Sequence, residues 1–208
     1  MPAFGFFALQ FLIVSLPPGN VLLDRPLVIG DTDATLMYDD GTGYWLSWEG
    51  LYRGVWFNLE DFGGRQDFWL ENLEFWFYHH SSYPWDTSAF YGELYDGSPA
   101  GPENLLNQTS VTALHLSPCF AEYPWPGNEQ VFQHSWALVN TQMSSGGWPS
   151  LLGDGTPNTV SHSFFSDDFI VWEPWVVTGP DANDFLIREN GTLSNLNEAT
   201  WASIKTLF

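Results

Sequence analysis

Leu70-Glu71-Asn72-Leu73-Glu74-Phe75-Trp76-Phe77-Tyr78 is the stretch that decides the fold class. Leu73, Phe75 and Phe77 share one face, and Glu74, Trp76 and Tyr78 share the other. That period of two is the signature of a strand with one face buried. The same alternation recurs on either side. Phe90, Gly92 and Leu94 alternate with Tyr91, Glu93 and Tyr95, and Phe132, His134, Trp136 and Leu138 form one face of another strand. Phe169-Ile-Val-Trp172 and Trp175-Val-Val177 flank Pro174 and read as two further strands. Asp40-Gly41, Asp96-Gly97, Asp154-Gly155 and Asn190-Gly191 are dipeptides of the kind that close tight hairpins. Short strands separated by Gly- and Pro-containing turns predict an all-β chain, either a sandwich or a barrel. Helical periodicity is confined to the C-terminal end. There Asn195-x-x-Glu198 fits a capping box for a short helix through Ile204, while alternation over 201–208 fits a last strand equally well.

The composition supports a folded domain. Of 208 residues, 44% are hydrophobic and 18% aromatic, with 12 Trp. That is too apolar for a solvated acidic tail, although the formal charge is -20. Aromatic side chains favour strands and interfaces. Here they project from both faces of several strands, which predicts more buried surface than an isolated sandwich provides. Five Lys and Arg against 25 Asp and Glu argue against binding nucleic acid, which needs cations for its phosphates. They argue equally against docking on anionic membranes. Cys119 is the only cysteine, so an intramolecular disulfide is excluded; a small buried hydrophobe is the expected role.

The order of the motifs resembles a jelly-roll module of bacterial secreted and surface proteins. Tyr38-Asp39-Asp40-Gly41-Thr42, followed by the hairpin-like Tyr44-Trp45-Leu46-Ser47-Trp48, is similar to the YDDGT opening of those modules. The resemblance continues through Arg53 to Phe57, Leu70 to Tyr78, the turn Glu93 to Pro99, and the late strand Asp184 to Arg188. It implies a jelly-roll-like antiparallel β-sandwich and an extracellular or cell-surface location. It says little about activity, because such modules serve many proteins.

An apolar N-terminal extension lies outside that module. Residues 1–20 hold a run with almost no polarity and no charged side chain, ending at Pro17-Pro18-Gly19-Asn20, and 21–208 form the sandwich domain, its main body starting near residue 31. The run has no basic n-region, because the first Lys or Arg is Arg25, and no small-x-small site follows Leu16. It is shorter than the roughly 20 residues of a spanning helix, so no membrane span is expected. The leading expectation is a strand that needs a partner; the same strand packed within its own chain, or an uncleaved signal segment, is the alternative. Phe4 and Phe6 would face one way and Phe7, Leu9 and Phe11 the other, with Ile13 continuing the seam. Inserted into a neighbouring copy, such a strand supplies ladder bonds and pocket-filling side chains, and a head-to-tail contact of this kind grows a filament.

Other residues carry lesser signals. Asp31, Asp33, Asp39 and Asp40 put carboxylates in loops, which suits calcium, the only cofactor suggested; a turn-forming role accounts for each taken singly. Asn107-Gln-Thr109 and Asn190-Gly-Thr192 are glycosylation sequons in expected loops. Trp85, Trp125 and Trp148, in Pro- and Gly-rich segments, are candidates for stacking on sugar rings. The chain shows no HExxH, no nucleophile elbow and no phosphate-binding glycine loop, and no carboxylate pair stands out by spacing. An enzyme is not expected. The leading expectation is a structural subunit of an extracellular fibre, a homopolymer assembled through its N-terminal strand. The alternative is a carbohydrate-binding accessory module whose partners are glycans.

Overall fold

The computed structural model describes residues 32–63, 68–79, 88–123, 129–131, 133–144, 148–177 and 182–193. The strands are β1 (Thr32–Leu36), β2 (Trp45–Ser47), β3 (Tyr52–Asn58), β4 (Phe68–Phe75), β5 (Ala89–Ser98), β6 (Gly101–Thr112), β7 (Cys119–Glu122), β8 (Glu129–Val131), β9 (His134–Asn140), β10 (Leu151–Gly153), β11 (Ser163–Ser166), β12 (Glu173–Pro174) and β13 (Ile187–Leu193). A single 3-10 turn, Leu59–Phe62, is the only helical element among the described residues.

Two main sheets form. One has the order β1-β13-β4-β7, with β8 also on β4; the other has the order β12-β11-β3-β9-β5-β6. Four antiparallel pairings nest inside one another along the chain: β5 with β6, β4 with β7, β3 with β9, and β1 with β13. A long hairpin rolled into two layers gives this nesting, which is the jelly-roll arrangement of an all-β sandwich. The small β2–β10 ladder is added at one end.

The interior follows the alternation. Leu73, Phe75 and Phe77 have no solvent exposure, and neither do Phe90 and Leu94 opposite them. Gly92 lies between those two because a β-carbon there would sit 2.7 Å from the Ala121 Cβ and 3.0 Å from the Phe75 ring. Cys119 is buried in the same core.

A second cluster lies on the outer face of the six-stranded sheet: Trp56, Trp136 and Leu138, covered by Tyr95, Phe164, Phe169 and Trp172. The residues expected as a strand, Phe169 to Trp172, form instead a tight turn that folds over this face. Asp168 Oδ1 accepts from the backbone N–H of Ile170 (2.8 Å) and Val171 (3.0 Å), and Phe169 adopts a left-handed φ of +66°. The turn packs Trp172 against Trp136 (5.1 Å between centroids, ring planes tilted by 51°) and leaves Trp136 with no exposure. In this way the chain itself covers aromatics that project from the second face of the sheet.

Two of the four expected hairpin dipeptides fall inside strands. Asn190-Gly191 lies in mid-β13, and Asp96-Gly97 is still within β5, whose turn to β6 is at Pro99-Ala100. Asp40-Gly41 and Asp154-Gly155 are in loops, with Gly41 at φ +82°. The C-terminal segment 195–208 lies outside the described residues.

Candidate binding cleft

The outer face of the β1-β13-β4-β7 sheet carries a cleft of about 360 Å³. Asp33, Ala34 and Thr35 come from β1; Arg188, Asn190 and Gly191 from β13; Glu71, Asn72 and Glu74 from β4; and Phe120 from β7. A β-bulge makes this face. In the β4–β13 ladder, Asn190 pairs with Asn72 but Gly191 pairs with Leu70, so Glu71 is the extra residue. The bulge lets Leu70 and Leu73 both point inward and turns the intervening Glu71 and Asn72 out. Gly191 is required opposite it, because a β-carbon would lie 2.1 Å from the Trp69 carbonyl oxygen.

The cleft side chains brace one another. Thr35 Oγ1 donates to Asn190 Oδ1 (2.6 Å), and Asn190 Nδ2 donates to Asn72 Oδ1 (2.9 Å) and Glu74 Oε2 (3.1 Å). Glu74 Oε1 also accepts from Trp76 Nε1 (2.6 Å) and Arg188 NH1 (3.2 Å). Arg188 grips Asp39 with its other two nitrogens, NH2 to Oδ1 (2.7 Å) and Nε to Oδ2 (3.1 Å). Thr192 Oγ1 donates to Glu71 (3.0 Å) at the margin. Phe120, 39% exposed, is the aromatic surface of the floor.

A buried acidic cluster lies where β10 meets the start of β13. Asp154 Oδ1 accepts from the Asp184 N–H (3.0 Å) and Oδ2 from the Asp40 N–H (3.3 Å). Asp184 accepts from Ser163 Oγ (3.1 Å) and from Asn158 Nδ2. Burial, reinforced by neighbouring carboxylates, pushes Asp154 up to about 7 and Asp184 up to about 6. Nearby His162 is pushed down to about 4 by burial, its ring stacked 3.5 Å from that of Tyr38.

Several of the residues singled out in the sequence meet here. Asp33 stands on β1 at the cleft. Asp39 lies beneath the cleft, its side chain without exposure and paired with Arg188. Asp40 faces away, accepting from the hydroxyls of Thr42 and Thr156. These contacts do not fit calcium: Asp39 is neutralised by a guanidinium, and Asp40 is engaged by hydroxyl donors. Among the described residues no cluster of three or more His, Cys, Asp or Glu has metal-holding geometry. Asn107 and Asn190, expected in loops, lie in strands β6 and β13. The amide nitrogen that a glycan would take at Asn190 is bonded to Asn72 and Glu74. Trp148 precedes the cis Pro149, half-buried, with its ring 6.3 Å from that of Trp48. Asp31, Trp85, Trp125 and the apolar seam Phe4, Phe6, Phe7, Leu9, Phe11 and Ile13 lie outside the described residues.

The expectations missed Thr35, Glu71, Asn72, Glu74, Phe120 and Arg188 as a group. One local signal was present: Leu70 and Leu73 are three apart, which breaks the period of two where the bulge occurs. No family model and no curated protein matches the chain. Among the described residues no helix is long and apolar enough to cross a membrane.

Proposed function

We propose that this chain is a carbohydrate-binding module of an extracellular or cell-surface protein, and that the cleft on the β1-β13-β4-β7 sheet holds the sugar. One observation carries the reading: a cross-braced set of amide, carboxylate, hydroxyl and guanidinium groups lines a concave sheet face beside an exposed aromatic ring. Sugar hydroxyls both donate and accept, and planar amides and carboxylates present the matching groups. The ring of Phe120 offers an apolar surface to the C–H face of a pyranose. The volume, about 360 Å³, suits a small ligand. Bracing fixes the polar groups before the ligand arrives, so little side-chain entropy is lost on binding.

The role is binding without turnover. Glu74, the central carboxylate, accepts from three N–H groups, those of Trp76, Arg188 and Asn190, and so holds them in place. The test is calorimetric titration of the full chain with a panel of oligosaccharides, repeated with Asn190→Ala and Phe120→Ala. Binding by the parent chain that both variants weaken at least tenfold supports the reading; binding that neither variant changes refutes it. Assembly into a fibre through residues 4–13 is the competing proposal. A polymer formed by the full chain and lost on deleting residues 1–16 would favour assembly instead.

A further inference from the structure

Resting on the sugar-binding reading, we propose that the cleft sorts its ligands by charge, taking amine-bearing sugars in preference to neutral ones and rejecting sugars that carry a carboxylate or sulfate. Three carboxylates, Asp33, Glu71 and Glu74, line the cleft against one guanidinium, Arg188. That guanidinium is already engaged on three nitrogens, two with Asp39 and one with Glu74. An anionic sugar therefore meets a guanidinium whose charge is already shared between Asp39, whose side chain has no exposure, and Glu74. Drawing Arg188 away from Asp39 to serve such a sugar would leave a buried carboxylate without its cation, the costly outcome of breaking one side of such a pair. Among the described residues the other arginine is Arg53, fully buried and bonded to the Ser47 carbonyl, and there is no lysine.

An ammonium meets the opposite situation. Glu71 is exposed and bonded to the Thr192 hydroxyl, and among the described residues no cation is paired with it. It stands on the outward side of the bulge, across the sheet from Asp33. The formal charge of -20 adds a field of the same sign, which concentrates cations and depletes anions near the surface. Local and global contributions separate with one substitution. Glu71→Gln removes a charge at the cleft while changing the total only slightly, and its side-chain oxygen still accepts from Thr192.

The experiment uses the full chain and three β-1,4-linked oligosaccharides of equal length, built from glucosamine, glucose and glucuronate, titrated at low and at physiological salt. The expected order is amine, then neutral, then uronate. The amine-to-uronate gap is about tenfold or more at low salt and narrows as salt rises. Glu71→Gln should shrink that gap about threefold at fixed salt. Uronate binding equal to that of the neutral sugar, or a gap unchanged in Glu71→Gln, overturns the charge proposal and leaves the sugar-binding reading standing. If none of the three binds, both fall together.

Discussion

Glu189 offers the sharpest physical test of the interior. It sits on β13 between Leu36 of β1 and Leu73 of β4, and its side chain, with no exposure, reaches across the sandwich to Ser135 on β9. Ser135 Oγ donates to Oε1 at 2.7 Å, while Oε2 has no hydrogen-bond partner among the described residues. Burial pushes this carboxyl from 4.5 up to about 8, with the serine hydroxyl pulling it back only in part. Below pH 4.5 folded and unfolded chains both hold the proton, and the contribution to stability is complete. Between 4.5 and about 8 the folded chain keeps a proton that the unfolded chain releases, so stability falls as pH rises, by up to ~1.4 kcal/mol per unit. Across that window the loss approaches roughly 4 kcal/mol, a large part of the ~5–15 kcal/mol that holds a domain folded. Glu189→Gln keeps the shape and removes the titration. Urea unfolding, with midpoint and slope measured at each pH, should show the variant within ~1 kcal/mol of the parent at pH 5. At pH 8.5 the variant should be the more stable by roughly 3 kcal/mol. A constant difference between the two from pH 5 to 9 would refute the reasoning, because it would mean that Glu189 ionises in the folded chain as easily as in the unfolded one.

Three further outcomes follow from the same structure. Arg188→Met should destabilise the fold by ~3–5 kcal/mol by stranding the buried Asp39, and Asp39→Asn in the same chain should recover much of the loss, both read by denaturant titration. Gly191→Ala drives a methyl group toward the Trp69 carbonyl, so it should lower stability by ~1–3 kcal/mol and abolish ligand binding together, as seen by thermal melting and calorimetry. Asp168→Ala removes the acceptor for the Ile170 and Val171 N–H groups; Trp172 should lift from Trp136, and Trp emission should shift to longer wavelength while far-ultraviolet circular dichroism stays unchanged.

What could be read from the sequence was what depends on neighbours along the chain. Alternation at Leu73, Phe75 and Phe77 and at Phe90, Gly92 and Leu94 marked the two strands whose side chains fill the core, and it fixed which face turns inward. What could not be read depends on partners far apart in sequence. Asn190-Gly191 has the composition of a hairpin turn, but its glycine is needed because the backbone of Trp69 approaches from the neighbouring strand. Asn190 itself is held by Thr35, which is 155 residues away. Phe169 to Trp172 has strand-forming side chains, yet Asp168 captures its backbone N–H groups and bends it over the second aromatic cluster. The carboxylates at Asp39 and Asp40 drew attention as cation ligands, but the partner of Asp39 is the arginine at 188, which the sequence showed only as the end of a strand.

The central claim is that the outer face of the β1-β13-β4-β7 sheet holds a sugar. The indole N–H of Trp76, bonded to Glu74 at 2.6 Å, and the side-chain amides of Asn72 and Asn190 place nitrogen-bound protons within that network. The most direct measurement is to record their signals by two-dimensional NMR while titrating the full chain with the glucosamine oligosaccharide. The account predicts saturable shifts concentrated at Trp76, Asn72, Asn190 and the backbone of Thr35 and Phe120. Saturable shifts confined to other surfaces, such as Trp48 and Trp148, would contradict it.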